Sequence, residues 1–537
     1  MRDMKTVFIA ERKAKFRAGG IDRRQFITSM LAAGVVLPTA MTMAGEVMAQ
    51  TPKKGGSYVQ GVGHGSTTDS LDPGTYENGF MVNLALSTGG ALTEVAPDGS
   101  LKGDIAESFD SDDAATWVFK LRSGIEFHDG KTLTADDVIA SMNHHRGEAS
   151  KSAAKGILKP VKDIRADGDN VVFELETPNA DFPFLVSDYH LVILPSADGK
   201  IDPTSTVRTG AYTIERFEPG VRLEGKRFAN DYRGDERGFF DEITQLSIVD
   251  ATARQNALMS GDVMAIDRVD PKVVALLGRN PNIEILEETG TLHYTFPMRV
   301  DADPFTSMDV RNAIKLAVKR QELVDKILAG HGALGNDHPI STANQFHAGD
   351  LEQREFDPEQ AAALYKKSGH SGPIVLRTSE AAFAGAVDAA QLIAASAKEA
   401  GIDVQVKREP KDGYWSNIWN KEPWCACYWG GRPTEDWMFS SAYTNDTEWN
   451  DTAWKGTPEA EKFNALVVEA RGELDPAKRE TMYAEAQRMI RDSGGALIPM
   501  FANHIMGVAK TVGHGSDVAA NWEMDGGKSL ERWWMAS

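Results

Sequence analysis

The residues best suited to make a binding surface lie between Tyr414 and Trp454, a stretch that holds seven of the chain's eleven tryptophans. An indole offers a flat apolar face and one N–H donor, which suits a wall that closes over a solute. Some of these rings must fill a core, as large aromatics usually do. Trp415, Trp429 and Trp449 have polar neighbours, Asn450 among them, and are expected to face a cleft. Other reactive side chains are sparse. His144 and His145 are adjacent, so on a helix they diverge and cannot clamp one metal; surface positions are expected. Cys425 and Cys427 are too close for an unstrained disulfide and have no second pair to complete a zinc site, so buried free thiols are expected.

The loop Gly61 to Thr68 could let backbone N–H groups approach an anion. It lacks the third glycine of a dinucleotide-binding turn, and no helix signal follows promptly. No G-x-S-x-G, H-E-x-x-H, C-x-x-C pair or P-loop is present, although two carboxylates distant in sequence would leave no such mark.

At 537 residues the chain exceeds one core and implies two or three domains. Its formal charge of −20 argues against nucleic acid or an anionic membrane as partner. Residues 1–49 read as a targeting segment. Basic residues Arg12 to Arg17 precede Asp22-Arg23-Arg24-Gln25-Phe26-Ile27, which resembles a twin-arginine motif. The run Met30 to Met43 is too short for a permanent span, and cleavage is expected after Ala49, or else Ala44. That segment has no Cys for lipid attachment, so the mature protein is expected to lie free in a periplasm.

Between Leu101 and Ser141 the pattern predicts a strand through Trp117, Phe119 and Leu121, a turn at Ser123-Gly124, and a second strand through Ile125 and Phe127. The Asp129-Gly130 turn follows, then a helix opened by a Thr134/Asp137 capping box. The string from Ala106-Glu107-Ser108-Phe109 through Trp117 to Val138 resembles, without a gap, the signature of the family 5 solute-binding proteins of ABC importers, the oligopeptide, dipeptide and nickel binders. Asp69-Ser70-Leu71-Asp72-Pro73, Arg208 to Ile214 and Ala229 to Gly234 are similar to further motifs of that family. Downstream, apolar residues from Val310 to Leu328 recur at helical spacing and predict one amphipathic helix; Asp357-Pro358 and Asp475-Pro476 cap two more.

The resemblance implies an α/β, periplasmic-binding-protein-like fold (type II, cluster C), with two lobes, an extra small domain and two crossing hinge strands. Lobe 1 would comprise residues 50–93, 206–296 and 500–537, the small domain 94–205 and lobe 2 297–499. The crossing strands are expected near Thr295 to Arg299 and Ile498 to Ala502. By the same resemblance the loop with Gly65 and Ser66 lines the cleft, and Tyr76 stands near it. Trp429-Gly430-Gly431-Arg432 through Asp436 matches the segment in which peptide binders carry an aspartate for the ligand's ammonium; Gly431 or Arg432 stands there instead. Arg299 replaces the family's usual Asn. A guanidinium cannot pair with an ammonium but binds carboxylate or phosphate bidentately, so an acidic peptide, an opine-like conjugate or a phosphorylated solute is implied, unless Arg432 pairs with Glu435 or Asp436. The implied partners are that solute and a membrane permease with its ATPase, the protein itself a monomer without a cofactor or membrane insertion. A nickel-chelate or haem binder of the same family, and a secreted hydrolase, remain as alternatives.

Overall fold

A computed structural model describes residues 52–410, 414–447 and 449–536, together with Arg12, Lys15 and the helix Arg23–Ala32. Most of the targeting segment, including Ala44 and the Ala49 cleavage position, lies outside the described residues.

One nine-stranded sheet organises the molecule. Its order is Tyr212–Glu218, Arg222–Arg227, Glu242–Ser247, Ser57–Val62, Ala265–Ile266, Met500–Ala509, Ile283–Thr295 and Cys427–Trp429, with Gly332–Leu334 also pairing on Met500–Ala509. Ser57–Val62 runs parallel to both of its neighbours, and the other pairings are antiparallel. Strands separated this far in sequence need helical crossovers, the mark of a mixed α/β architecture.

The two long strands carry two cores. Leu286, Met506 and Val508 pack with Tyr58, Phe80, Tyr212, Phe240 and Trp533. Farther along the same strands, Met500 and Ala502, with Tyr294 packed against them, join Phe296, Trp424, Ile314 and Ile393. The register breaks between Thr289 and His293, where one core gives way to the other. The two strands that run through both cores are Ile283–Thr295 and Met500–Ala509; the stretches expected to cross, near 295–299 and 498–502, overlap one end of each. A third core, around Phe119, Phe173 and Phe182, lies under a separate four-stranded sheet ordered Ala106–Asp110, Thr116–Leu121, Asn170–Leu175, Val161–Asp167.

Three local expectations are corrected. The hairpin of the signature lies one element earlier, because Ala106–Asp110 pairs antiparallel with Thr116–Leu121. Ile125 and Phe127 alternate because both are buried by a tight loop in which Phe127 N–H donates to Lys131 O at 2.8 Å, with only a bridge between Glu126 and Thr132. The helix expected from Val310 to Leu328 is two, Met308–Leu316 and Arg320–Ile327; Ala317 and Val318 stay buried through the break, so the apolar pattern reads straight across it. His145 is buried, its Nδ1 2.6 Å from Ser152 Oγ, and His144 Nε2 contacts Asp72 at 2.8 Å. The capping box at Thr134 and Asp137 and the two buried free thiols are as expected.

Candidate functional site

A cavity of about 550 Å³ opens between walls drawn from three separate parts of the chain. One wall is the helix Gly79–Thr88, which contributes Val82 and Leu86 and is started by Asn78, whose side chain accepts from the N–H groups of Phe80 and Met81. Ser187 to His190 from the small module form a second wall. The third is Gly430 to Pro433 with Trp437 and Trp449. Such a volume suits a small solute, and the lining mixes apolar and aromatic side chains with charged ones, Glu94, Asp104, Asp188, Arg432 and Lys528 among them.

The sheet explains how the third wall is aimed. The register break places Thr291 in the cavity lining, a frequent use of a strand irregularity. Gly431 packs directly on it: its φ is +71°, and a Cβ there would lie 2.2 Å from Thr291 Oγ1. That close approach turns the following Arg432 into the cavity. Its Nη1 donates to Gly431 O at 2.7 Å, and the guanidinium carbon lies 5.9 Å from the Trp429 ring and 6.0 Å from the Trp437 ring. Burial lowers its pKa from the ordinary value, opposed by Tyr189 and then Asp188.

No carboxylate lies within ion-pair distance of Arg432 among the described residues. Asp436 pairs with Arg471 Nε at 3.0 Å, and Glu435 accepts the Phe346 N–H at 2.7 Å. Lys528 and Glu94, two further charges on the cavity, pair with each other. Lys528 Nζ donates to Glu94 at 2.7 Å and lies 3.1 Å from Glu531, and Arg237 bonds both of those carboxylates. Asp188 Oδ1 accepts from His190 Nδ1 at 2.5 Å and from His190 N–H at 3.0 Å.

Of the residues singled out in the sequence, Gly430, Gly431, Arg432 and Trp449 line this cavity. Trp429 stands behind Trp449, ring centroids 6.1 Å apart, and donates its Nε1 to Asp451 at 3.2 Å. The others lie elsewhere. Gly65, at φ +137°, packs on Ser247, and Ser66 closes a turn in which its N–H donates to Asp69 at 2.8 Å. Tyr76 is buried, donating to Leu71 O and accepting from Arg208 Nη2. Arg299 is used internally, bonded to Asn420 and to both Asp301 oxygens. Trp415 is exposed on the outer side of the aromatic cluster, against Trp419 and Tyr428. Asn450 is buried and holds the carbonyls of Tyr443, Thr444 and Trp454. Sequence reasoning missed Asp188, Tyr189, Trp437 and Trp522. The Tyr189-His190 pair carries no pattern pointing to a cleft, and nothing in the aromatic stretch singles Trp437 out from the rings that fill the core.

A second chamber of about 540 Å³ adjoins the first through Val95, Thr291, Pro433 and Asn521; Asp98, Glu287, Glu288 and Asp517 line it. Burial, with Asp517, Asp525 and Glu287 nearby, raises the Glu288 carboxyl. Among the described residues no group of three His, Cys, Asp or Glu is placed to hold a metal ion, and no helix is long and apolar enough to cross a membrane.

Comparison with known proteins matches this architecture to one family. The model described as "Bacterial extracellular solute-binding proteins, family 5 Middle" matches residues 100–451. The glutathione-binding protein GsiB of Escherichia coli (strain K12) is 25% identical over 521 residues, covering 92% of this chain and 97% of that protein. Among solved structures, AgaA of A. tumefaciens R10 in complex with agropinic acid is similar at a TM-score of 0.70 and 23% identity, covering 90% of this chain and 99% of that one. DppA of Helicobacter pylori in complex with the peptide STSA gives 0.70 and 19%, over 90% and 99%. At these identities the structural likeness speaks for the fold, a type II periplasmic-binding architecture, while the family match spans most of the chain. The chain therefore belongs to the family 5 bacterial extracellular solute-binding proteins, the substrate-capturing components of ABC importers.

Proposed function

We propose that this protein captures a peptide-like solute bearing a carboxylate or comparable acidic group in the periplasm, and hands it unchanged to a membrane permease driven by a cytoplasmic ATPase. It reaches the periplasm by the twin-arginine route and works as a monomer. Residues 50–93, 206–296 and 500–537 form one lobe, 297–499 the other, and 94–205 the small domain; Ile283–Thr295 and Met500–Ala509 are the hinge.

The observation that carries the reading is Arg432. It is half-buried on a cavity wall, flanked by two indoles and unmatched by any carboxylate among the described residues. A desolvated cation of this kind gains most from an anionic guest. GsiB, named for glutathione, and AgaA, solved with agropinic acid, lend support, since both of those ligands are acidic. A solute touching both walls stabilises the closed arrangement by its differential affinity for it, and release follows when the permease reopens the cleft.

Calorimetry with glutathione and with its diamide tests this. Hydrogen bonds to charged groups are worth about 1.5–3 kcal/mol, so Arg432→Ala should weaken glutathione roughly ten- to hundredfold and leave the diamide nearly unaffected. Equal affinity of wild type and variant for glutathione would overturn the acidic-solute reading.

A further inference from the structure

On the wall facing Arg432, Tyr189 has a hydroxyl that makes no hydrogen bond among the described residues. Its ring is fixed. It stacks on His190 at 4.2 Å between centroids and 30° between planes, and lies 6.3 Å from the Trp522 ring. His190 is fixed in turn, because Nδ1 contacts Asp188 Oδ1 at 2.5 Å and Nε2 contacts Tyr76 O at 2.7 Å. Both ring nitrogens face oxygen acceptors, so the imidazole is held at two points and cannot swing. Tyr189 and Arg432 both line the 550 Å³ cavity, the first from the small module and the second from the core around Trp429 and Trp454.

We infer that Tyr189 is a second binding residue for the acidic group of the solute, its hydroxyl donating to the same oxyanion that the Arg432 guanidinium grips from the opposite wall.

The inference rests on the acidic-solute reading and extends it to the partner wall. Three observations favour a donor role. Burial, and then the neighbouring Asp188 charge, push the tyrosine's ionisation well above its ordinary value, so it keeps its proton at neutral pH. Asp188 Oδ1, on the neighbouring carboxylate, is already occupied by two N–H groups from His190 and takes no bond from the Tyr189 hydroxyl. A donor beside a cavity that has no acceptor of its own is costly once the cleft excludes water, and a ligand oxygen removes that cost. Donors on both walls would also favour an anion over its amide, whose single neutral carbonyl oxygen accepts more weakly than a carboxylate. A guest held by Arg432 alone would bind one wall, whereas one shared with Tyr189 ties the small module to the opposite core.

Tyr189→Phe removes the hydroxyl and keeps the ring stacked on His190, so its melting temperature should match wild type. Calorimetry on wild type, Tyr189→Phe and Arg432→Ala with glutathione and its diamide separates the outcomes. The expected result is a five- to thirtyfold weaker affinity of Tyr189→Phe for glutathione, with the diamide changed less than twofold. Glutathione binding that falls in Arg432→Ala but is unchanged in Tyr189→Phe overturns the role of Tyr189 and leaves the acidic-solute reading standing. Glutathione and diamide bound equally by wild type, or glutathione not bound at millimolar concentration, overturns that reading and this inference with it.

Discussion

Asp451 shows how a residue outside the cavity can set its wall. It is buried, and Oδ2 accepts the indole N–H groups of Trp419 at 3.0 Å and Trp429 at 3.2 Å, fixing the ring that backs Trp449 and the one packed behind it. Burial pushes its carboxyl up to about 6, against those hydrogen bonds. The folded protein therefore holds this proton more tightly than the unfolded chain does. The contribution to stability is complete below the ordinary value of 3.8 and is lost as pH rises through about 6. At about 1.4 kcal/mol per pKa unit the loss is on the order of 3 kcal/mol. Asp436, raised to about 6, and Glu435, raised to about 7, add slopes of the same sign, so one substitution removes only part of it. Asp451→Asn keeps an acceptor for both indoles and abolishes the titration. Urea denaturation at pH 4 and pH 7 should find a smaller difference between the two pH values in the variant than in wild type; equal differences would show that Asp451 does not carry this linkage.

Elements were legible in the sequence where their cause was local. The start of the helix Ala135–His144 is one such place, because a capping box needs only a spacing of three. The structure adds what the spacing could not show: Asp137 accepts from Thr134 N–H and Oγ1, from Lys131 Nζ, and from the N–H and Oγ of Ser196. One carboxylate thereby ties the turn, the helix start and a distant loop together. Asp137→Ala leaves several of these donors without a partner and should cost about 3 kcal/mol of stability, seen as a lower urea midpoint, with glutathione affinity unchanged because none of these groups touches the cavity. The wall elements were legible only in part. Arg432 and its glycines stand in one continuous segment and could be found from it. Tyr189 and Val82 reach the same cavity through two other modules, and no period or spacing relates them to Arg432. Polar neighbours were a poor guide to direction along the aromatic stretch. Trp415 faces outward and Trp437 inward, because the first sits on the four-residue helix Tyr414–Asn417 at the rim and the second on the helix Glu435–Ala442 behind the wall. Arg299 looked like a ligand residue because its partner Asn420 lies 121 residues farther along the chain.

At the scale of the whole molecule, the gap that holds the cavity is bridged at a second place. Asp181 of the small module forms a buried ion pair with Arg479 at 2.5 Å, the Ala180 N–H donates to Arg471 O at 2.7 Å, and Pro178 packs on Gly472. Arg479 lies on the helix Pro476–Ser493, whose Tyr483, Ala486 and Ile490 belong to the core behind Trp429 and Trp454. These contacts join the same two bodies as Tyr189 and Arg432, so any motion that opens the cavity by separating them must expose Asp181 and Arg479 to water. Removing one partner of a buried ion pair leaves an uncompensated charge at a typical cost of 3–5 kcal/mol. In Asp181→Ala that cost falls on the closed arrangement alone, since the open one would hydrate Arg479. The ligand-free population should therefore shift toward open molecules, and apparent affinity should fall in proportion to the closed fraction lost. Small-angle scattering is expected to give ligand-free Asp181→Ala a larger radius of gyration than wild type, and saturating glutathione should return it to the wild-type liganded value. If the ligand-free radii are equal while the variant is merely less stable to urea, the ion pair holds the fold and does not govern closure.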